Sequence, residues 1–189
     1  MEDIRIAKKE LRAAIKEKLN AVVPEDAILA SRRVLAKLEQ LDQWKRAEVV
    51  LAFLSMKDEL DTAPILNAAL EAGKTLAVPR VVGSELAFCQ IENLKKDTAP
   101  GAFGILEPVS GLPEINIKTL SERHSVILVP GLAFDKEKFR LGRGKGFYDR
   151  FLASAENSVY KIGIGYSFQL VERVPRENHD LRLDSVVTG

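Results

Sequence analysis

Hydrophobic residues near the amino terminus recur at the spacing of one helix face. The positions concerned are Ile4, Leu11, Ile15 and Leu19. Because residues three, four and seven apart share one side of an α-helix, the pattern predicts an amphipathic helix over residues 3–20. Pro24 suits the first turn of a helix and starts a second predicted helix, which runs to about Leu41. A third helix is predicted over residues 61–72, where Gly73 supplies a carboxyl-terminal cap.

Short apolar runs separate and follow these helices, and they predict strands that are covered on both faces. The runs are residues 49–54, 75–79, 86–91, 126–129, 162–165 and 185–188. Continuous runs of this kind are typical of parallel sheets, because helices cover both faces of such a sheet. Residues 92–118 are rich in Pro and Gly and predict a long irregular connection. At roughly 100 to 200 residues per domain, the chain of 189 residues predicts one domain over residues 1–189.

Composition narrows the classes of partner. The 28 Lys and Arg balance 27 Asp and Glu, so no overall charge attracts nucleic acid or an anionic membrane. No apolar run approaches the ~18 residues of a membrane span, and the amino terminus lacks the apolar segment of a signal peptide. We therefore expect a cytoplasmic protein that binds neither nucleic acid nor membrane. We also expect a monomer, although the composition does not bear on oligomeric state. Cys89, the single cysteine, lies in an apolar run and is interpreted as a buried small hydrophobe, not as a reactive thiol.

The strongest chemical signal is the segment from Arg140 to Arg150, which reads Arg-Leu-Gly-Arg-Gly-Lys-Gly-Phe-Tyr-Asp-Arg. Its glycines lack a Cβ, so the backbone there can curl tightly and point successive N–H groups at an anion. These glycines are Gly142, Gly144 and Gly146, and the neighbouring positive charges are Arg140, Arg143 and Lys145. The segment follows the buried run 126–129, which places it beyond the carboxyl end of a central strand, where open α/β sheets bind ligands. The pattern predicts a phosphate-binding loop.

Carboxylates near this loop suggest a metal and a second ligand. A helix is predicted to open at Phe147, which puts Asp149 about one turn inside it, where a carboxylate can hold a Mg²⁺ that bridges phosphate oxygens. Asp184, before the last strand, is a candidate second carboxylate. Glu59 follows the first strand and so lies at the same sheet edge as the loop. Because Asp61 or Thr62 is better placed to cap the next helix, Glu59 stays available to accept hydrogen bonds from a ligand.

Other interpretations of the loop remain open at this point. It is not a P-loop, because no Ser or Thr follows Lys145, and its glycine spacing differs from that of dinucleotide-binding folds. The sequence Gly73-Lys74-Thr75 also fails as a P-loop, because position 68 is Ala and a strand follows. A surface turn or a basic RNA-binding segment would show similar letters. The RNA interpretation is weakened by an aromatic content of 6% and a formal charge of +1.

The run from Val129 to Leu152 closely resembles the signature of the 5-formyltetrahydrofolate cyclo-ligase family, also called 5,10-methenyltetrahydrofolate synthetases. The resemblance covers nearly the whole chain. Residues 8–12 resemble the family's nucleotide element, residues 53–62 its folate loop, and residues 104–108 and 179–184 also fit. It implies an α/β fold: a Rossmann-like three-layer sandwich with a mostly parallel central sheet and helices on both faces.

The resemblance also implies a site and a reaction. ATP would be bound by Lys8, Lys9, Glu10, Leu11, Arg12, Arg140, Leu141, Gly142, Arg143, Gly144, Lys145, Gly146, Phe147 and Tyr148. The folate would contact Leu54, Glu59, Arg143, Gly144, Lys145, Gly146 and Phe147. Mg²⁺ would be held by Asp149 and Asp184, and the catalytic residues would be Arg140, Arg143 and Lys145. The implied reaction is the ATP- and Mg²⁺-dependent closure of 5-formyltetrahydrofolate to 5,10-methenyltetrahydrofolate, with release of ADP and phosphate.

Two alternatives to that reaction are a non-catalytic module that binds RNA or a nucleotide, and a ligase of the same fold that acts on another formamide.

One position departs from the family pattern. The family usually has glycine two residues before the arginine that opens the loop, whereas this chain has Lys138. If the turn there requires a positive φ, Lys138 is strained.

Overall fold

The computed structural model describes residues 2–101, 105–155, 158–177 and 180–189. Within these ranges the helices are α1 (Glu2–Asn20), α2 (Pro24–Leu38), α3 (Asp42–Arg46), α4 (Ala63–Glu71) and α5 (Phe147–Ser154). The strands are β1 (Val49–Leu51), β2 (Thr75–Val82), β3 (Glu85–Ile91), β4 (Thr98–Pro100), β5 (Leu106–Pro108), β6 (Ser125–Val129), β7 (Ala133–Asp135), β8 (Arg140–Leu141), β9 (Tyr160–Gly165), β10 (Leu170–Val171) and β11 (Ser185–Thr188). Short 3-10 helices cover Ile117–Glu122 and Ser167–Gln169.

The central sheet contains six strands in the order β11-β9-β6-β1-β2-β3. Every neighbouring pair is parallel except β2 and β3, which form an antiparallel hairpin. The prediction of a mostly parallel sheet is therefore confirmed. β6 lies at its centre with every residue buried, and β7, β8 and β10 form a separate small sheet.

Helices cover both faces of the central sheet, as predicted. Alternate residues of a strand point to opposite faces, and β1 shows this directly: Val50 belongs to one apolar layer, whereas Val49 and Leu51 belong to the other. The first layer is completed by α1, α2 and α4 through residues such as Ile15, Val34 and Leu66. The second is completed by α5 and the 3-10 helix before β6, through Phe151, Leu152 and Leu120. The result is a three-layer α/β sandwich.

Several element boundaries differ from the predictions. The first strand ends at Leu51, not at residue 54, because the chain then turns into a loop in which Thr62 Oγ1 donates a hydrogen bond of 2.9 Å to the Phe53 carbonyl. α2 ends at Leu38, and the short α3, which buries Trp44, was not predicted. The connection over residues 92–118 contains the β4–β5 hairpin.

Gly73 has a φ of 72° and follows α4, which confirms it as the carboxyl-terminal cap.

Cys89 is fully buried, as predicted, and burial is the main cause that raises the pKa of its thiol. Among the described residues, none of the helices has both the length and the apolar character of a membrane span.

Candidate functional site

A cleft of about 370 Å³ opens beyond the carboxyl ends of β1 and β6. One wall is apolar and includes Phe53, Leu54, Met56, Pro79, Val81, Leu86, Ile105 and Leu106. The glycine-rich segment also lines the cleft and contributes Arg140, Arg143, Lys145 and Asp149, and Glu59 is contributed by the loop after β1. Such a combination suits a ligand with an aromatic part and a strongly anionic part.

The glycine-rich segment begins as a strand and ends as the start of a helix. Leu141 pairs with Ala133 in the β7–β8 hairpin, which holds the first residues of the segment against the small sheet. Gly144 and Gly146 have φ values of 102° and 70°, a region that side chains other than glycine rarely adopt. Gly146 directly precedes α5. The amino-terminal end of that helix therefore faces the cleft with its positive dipole end.

Lys138 is the only residue other than glycine with a positive φ in the described part of the chain, at 71°. Its N–H bonds to the Asp135 carbonyl and its own carbonyl accepts from Leu183, so the turn before β8 is fixed on both sides. Lys138 therefore adopts a left-handed conformation at the position where the family pattern has glycine.

Arg140 is buried against the base of the cleft, with 5% of its side chain exposed. Its guanidinium donates to Asp149 Oδ1 at 2.5 Å and to the Pro130 carbonyl at 3.3 Å, and it lies 5.9 Å from the centre of the Tyr148 ring. Burial lowers the pKa of Arg140, whereas the charge of Asp149 acts in the opposite direction. Burial also raises the pKa of the Tyr148 hydroxyl. The cation is therefore positioned before any ligand binds.

Arg143 connects the glycine-rich segment to the loop after β1. It donates two hydrogen bonds to Asp58, at 2.8 and 3.0 Å, and one to Glu59 Oε1 at 3.2 Å. Glu59 also accepts from the Met56 N–H, and only 14% of its side chain is exposed. Burial raises the pKa of Glu59, while the Met56 N–H and Arg143 act in the opposite direction.

Asp61 accepts the Ala63 N–H at the start of α4, so it satisfies the helix end and leaves Glu59 to the cleft.

α1 carries two further basic side chains, one of which contacts the glycine-rich segment. Arg12 Nε donates to the Gly142 carbonyl at 3.0 Å, and Lys8, one turn earlier, bonds to Glu177 and Asp180. Lys9 and Glu10 lie on the exposed side of α1, and Leu11 packs against the core.

The two predicted metal ligands have different surroundings. Asp149 lines the cleft, and 56% of its side chain is exposed. Asp184 accepts from the Lys161 N–H at 2.7 Å and lies 3.8 Å from Lys161 Nζ, at the amino-terminal end of β11. Within the described residues, no three His, Cys, Asp or Glu side chains form a group that could hold a metal ion. Their joint role at Mg²⁺ stays a prediction, and Asp149 is the carboxylate better placed for it.

A family model described as the 5-formyltetrahydrofolate cyclo-ligase family matches residues 5–189. The chain belongs to the 5-formyltetrahydrofolate cyclo-ligase family. The predictions of the family and of an enzyme are thereby confirmed.

Relatives in the cyclo-ligase family cover nearly the full chain. A 5-formyltetrahydrofolate cyclo-ligase of Escherichia coli K12 is 30% identical over 92% of this chain and 96% of the relative. The mouse 5-formyltetrahydrofolate cyclo-ligase is 28% identical over 97% of this chain and 94% of its own.

Solved structures of 5,10-methenyltetrahydrofolate synthetases share the fold of this chain. An Aquifex aeolicus 5,10-methenyltetrahydrofolate synthetase superposes with a TM-score of 0.81 and 36% identity, covering 95% of this chain and 88% of that one. A Mycoplasma pneumoniae 5,10-methenyltetrahydrofolate synthetase, at 22% identity and a TM-score of 0.74, shows the same fold.

Sequence reasoning missed part of this site. Asp58 was not singled out, although its place beside Glu59 in a loop was a usable signal. Asp180 was included only in the resemblance of residues 179–184, and its contact with Lys8 joins positions 172 residues apart, which no local pattern reveals. The apolar wall formed by Val81 and Leu106 was also missed. Gly104 and His179, which belong to the family resemblance, lie outside the described residues.

Proposed function

We propose that the protein closes 5-formyltetrahydrofolate to 5,10-methenyltetrahydrofolate at the expense of ATP, with Mg²⁺, and releases ADP and phosphate. Membership in the cyclo-ligase family supports the substrate and the product. The observation that carries the proposal is the contact of Arg143 with Glu59, because it joins a phosphate-type loop and a carboxylate across one cleft. A reaction between ATP and a folate needs both kinds of group side by side. We also propose the cytoplasm as the location and a monomer as the active form.

In the proposed mechanism the formyl oxygen attacks the γ-phosphorus of ATP and ADP leaves. The folate nitrogen at position 10 then attacks the activated formyl carbon, and the ring closes as phosphate departs. Phosphoryl transfer demands in-line positioning and charge neutralisation more than covalent participation by the protein. This agrees with a cleft whose polar side chains are cations and carboxylates.

The cations have distinct places in this scheme. Arg140, buried and held by Asp149, offers a fixed charge to the transferred phosphoryl group. Lys145 lines the cleft from the exposed part of the loop and approaches the same group from the solvent side. Arg143 spans the two ligand regions, since it lies on the loop and contacts Glu59. Glu59 orients the pterin by accepting hydrogen bonds from its N–H groups.

The residues present fit a magnesium ion. Asp149 is an oxygen ligand on the cleft wall, and Mg²⁺ is commonly held by one or two carboxylates together with substrate phosphates. When bound, the ion supplies charge neutralisation for the phosphate oxygens. Asp149 would have to share its carboxylate between that ion and Arg140.

The test is incubation of the protein with 5-formyltetrahydrofolate, Mg²⁺ and ATP, followed by the near-ultraviolet absorbance of the methenyl product. We expect a rise that requires all three additions. Absence of a rise, together with salt-sensitive RNA binding, would favour the non-catalytic module. Turnover of simpler formamides in preference to the folate would favour a ligase for another substrate.

Substitution Lys145→Ala tests the role of the loop in the same assay. The substitution removes a positive charge that would stabilise the transition state, and we expect kcat to fall by about a hundredfold or more. Lys136→Ala, which removes an exposed lysine from the turn before β8, is the control and should leave kcat near the unsubstituted value. Near-normal ring closure by Lys145→Ala would contradict the role.

A further inference from the structure

Lys8 is held more firmly than a surface lysine. Its ammonium donates to Asp180 Oδ2 at 2.7 Å and to Glu177 Oε2 at 3.1 Å, and 13% of its side chain is exposed. Burial by itself would lower the pKa of Lys8, but the hydrogen bonds and charges of the two carboxylates outweigh it and the pKa is raised. An ammonium has three N–H donors, so these contacts leave one for another acceptor.

Asp180 is held by the backbone as well as by Lys8. The oxygen that accepts from Lys8 also accepts the Glu177 N–H at 2.8 Å, so the turn of the carboxyl-terminal segment fixes its position. Its negative charge also acts on Arg140, where it raises the pKa against the larger effect of burial. Asp180 thus contacts the α1 lysine directly and acts on the buried arginine of the cleft only through its charge.

We propose that Asp180 is a positioning residue for ATP, which holds the Lys8 ammonium in place for contact with the nucleotide phosphates. The inference rests on the proposed function, because it assumes that Lys8 binds ATP. A free lysine has four rotatable side-chain bonds, and ordering them on binding costs conformational entropy. Contact with Asp180 orders the Lys8 side chain already in the unliganded protein. Arg12, on the same face of α1, is ordered in a similar way by the Gly142 carbonyl.

Asp180 could instead weaken ATP binding, so the direction of its effect on ATP affinity tests the proposal. If the charges of Asp180 and Glu177 acted mainly on the polyanionic ATP, they would repel it, and neutralising either would strengthen binding. If Asp180 acts by placing Lys8, neutralising it weakens ATP binding, and the effect depends on the presence of Lys8.

The experiment is a double-mutant cycle of Asp180→Asn and Lys8→Ala. Asparagine keeps an oxygen that can accept the Glu177 N–H, so the turn is retained. Asp180→Ser, which also keeps an acceptor, is the second variant if the asparagine protein melts early. The readouts are KM for ATP and for the folate in the ring-closure assay, and the Kd of magnesium ATP by calorimetry.

We expect Asp180→Asn to raise KM and Kd for ATP by about tenfold, because the neutral amide oxygen holds the Lys8 ammonium less strongly than the carboxylate does, and to change the KM for the folate by less than about twofold. In the Lys8→Ala background the same substitution should change Kd by less than about twofold. Glu177→Gln, which neutralises the other Lys8 partner, is the matched control and should have a smaller effect, since its contact is longer.

Three results would overturn the proposal: a fall in the Kd of ATP, no change, or an equal rise in both backgrounds, which would assign Asp180 to the fold or to Arg140. Unchanged ATP binding in Lys8→Ala would also overturn it while leaving the proposed ring closure intact. Failure of the proposed function is seen separately, as absence of the methenyl product with the unsubstituted protein.

Discussion

Lys138 carries a local conformational cost that the surrounding turn imposes. For an L-residue a left-handed conformation brings Cβ too close to the backbone and costs roughly 1–2 kcal/mol. The bonds of its N–H to Asp135 and of its carbonyl to Leu183 hold the position there. Because both bonds involve only the backbone of residue 138, glycine would keep them.

Lys138→Gly is therefore expected to raise the free energy of unfolding by up to about 1 kcal/mol, after the greater freedom of glycine in the unfolded chain is subtracted. Urea denaturation measures it. Lys136→Gly, two residues earlier at a position without positive φ, is the matched control and should give no gain. A Lys138→Gly protein no more stable than the parent would show that the turn carries no strain.

Glu59 is a single residue that makes the stability of the protein depend on pH. Burial raises the pKa of Glu59 above its ordinary value of 4.5, so between that value and the folded pKa the folded protein binds more protons than the unfolded chain. Stability therefore falls as the pH rises through this window and stays lower above it.

Glu59→Gln should remove this dependence. We expect the variant to be more stable than the parent at neutral pH, to lose that advantage as the pH falls through the raised pKa of Glu59 to about 4.5, and to bind the folate more weakly. Urea denaturation at a series of pH values measures the first two effects. Asp58→Asn, at the more exposed neighbour that shares Arg143, is the control, for which no neutral-pH gain is expected. Parallel profiles for Glu59→Gln and the parent would contradict the argument.

At the scale of elements, the glycine-rich segment works as a turn between β8 and α5, and its shape depends on backbone freedom. A Cβ on Gly144 would meet the Arg12 guanidinium only at 3.8 Å, an ordinary contact, so the obstacle to a side chain there is the φ of 102°. Gly111 has a φ of 84° with open space around it and provides the same obstacle outside the cleft.

Gly144→Ala and Gly111→Ala should therefore lower stability by similar amounts, about 1–2 kcal/mol, by urea denaturation. Only Gly144→Ala should lower kcat/KM for ATP, by about a hundredfold, because displaced N–H groups no longer match the phosphates. Equal activity of the two variants would remove the loop backbone from the proposed site.

Elements of different length were predictable to different degrees. The helices α1 and α2 and the strands β2, β3, β6, β9 and β11 were found from hydrophobic spacing, since each is long enough to show a period or a continuous buried run. β7, β8 and β10 have two or three residues each, too few to show either, and their pairing depends on distant partners such as Leu170 with Phe134.

For the whole molecule, the packing of Phe134 shows how the small sheet is joined to the central one. The ring is fully buried, and a Cβ added at Gly131, Gly163 or Gly165 would meet it at 2.7, 2.6 or 3.3 Å. These glycines make room for the ring, so β7 can lie against the centre of the molecule and present β8 to the cleft.

Gly163→Ala should therefore destabilise the protein by about 1–3 kcal/mol through overpacking. The added methyl group meets the Phe134 ring. The double variant Gly163→Ala with Phe134→Leu should therefore lose less unfolding free energy than the sum of the losses of the two single variants. Thermal or urea unfolding of the four proteins completes the cycle. Strict additivity would show that the ring and the glycine do not share space.

The sequence by itself determined the class of sheet, the principal helices and the residue types of the phosphate loop, because these depend on local spacing and on the backbone freedom of glycine. Only the tertiary structure decided which side chains meet. Arg143 reaches Glu59 across 84 positions and Lys8 reaches Asp180 across 172. Such contacts depend on how strands and helices stack, and local patterns carry no information on that stacking, so the partners of each charge emerged only from the folded chain.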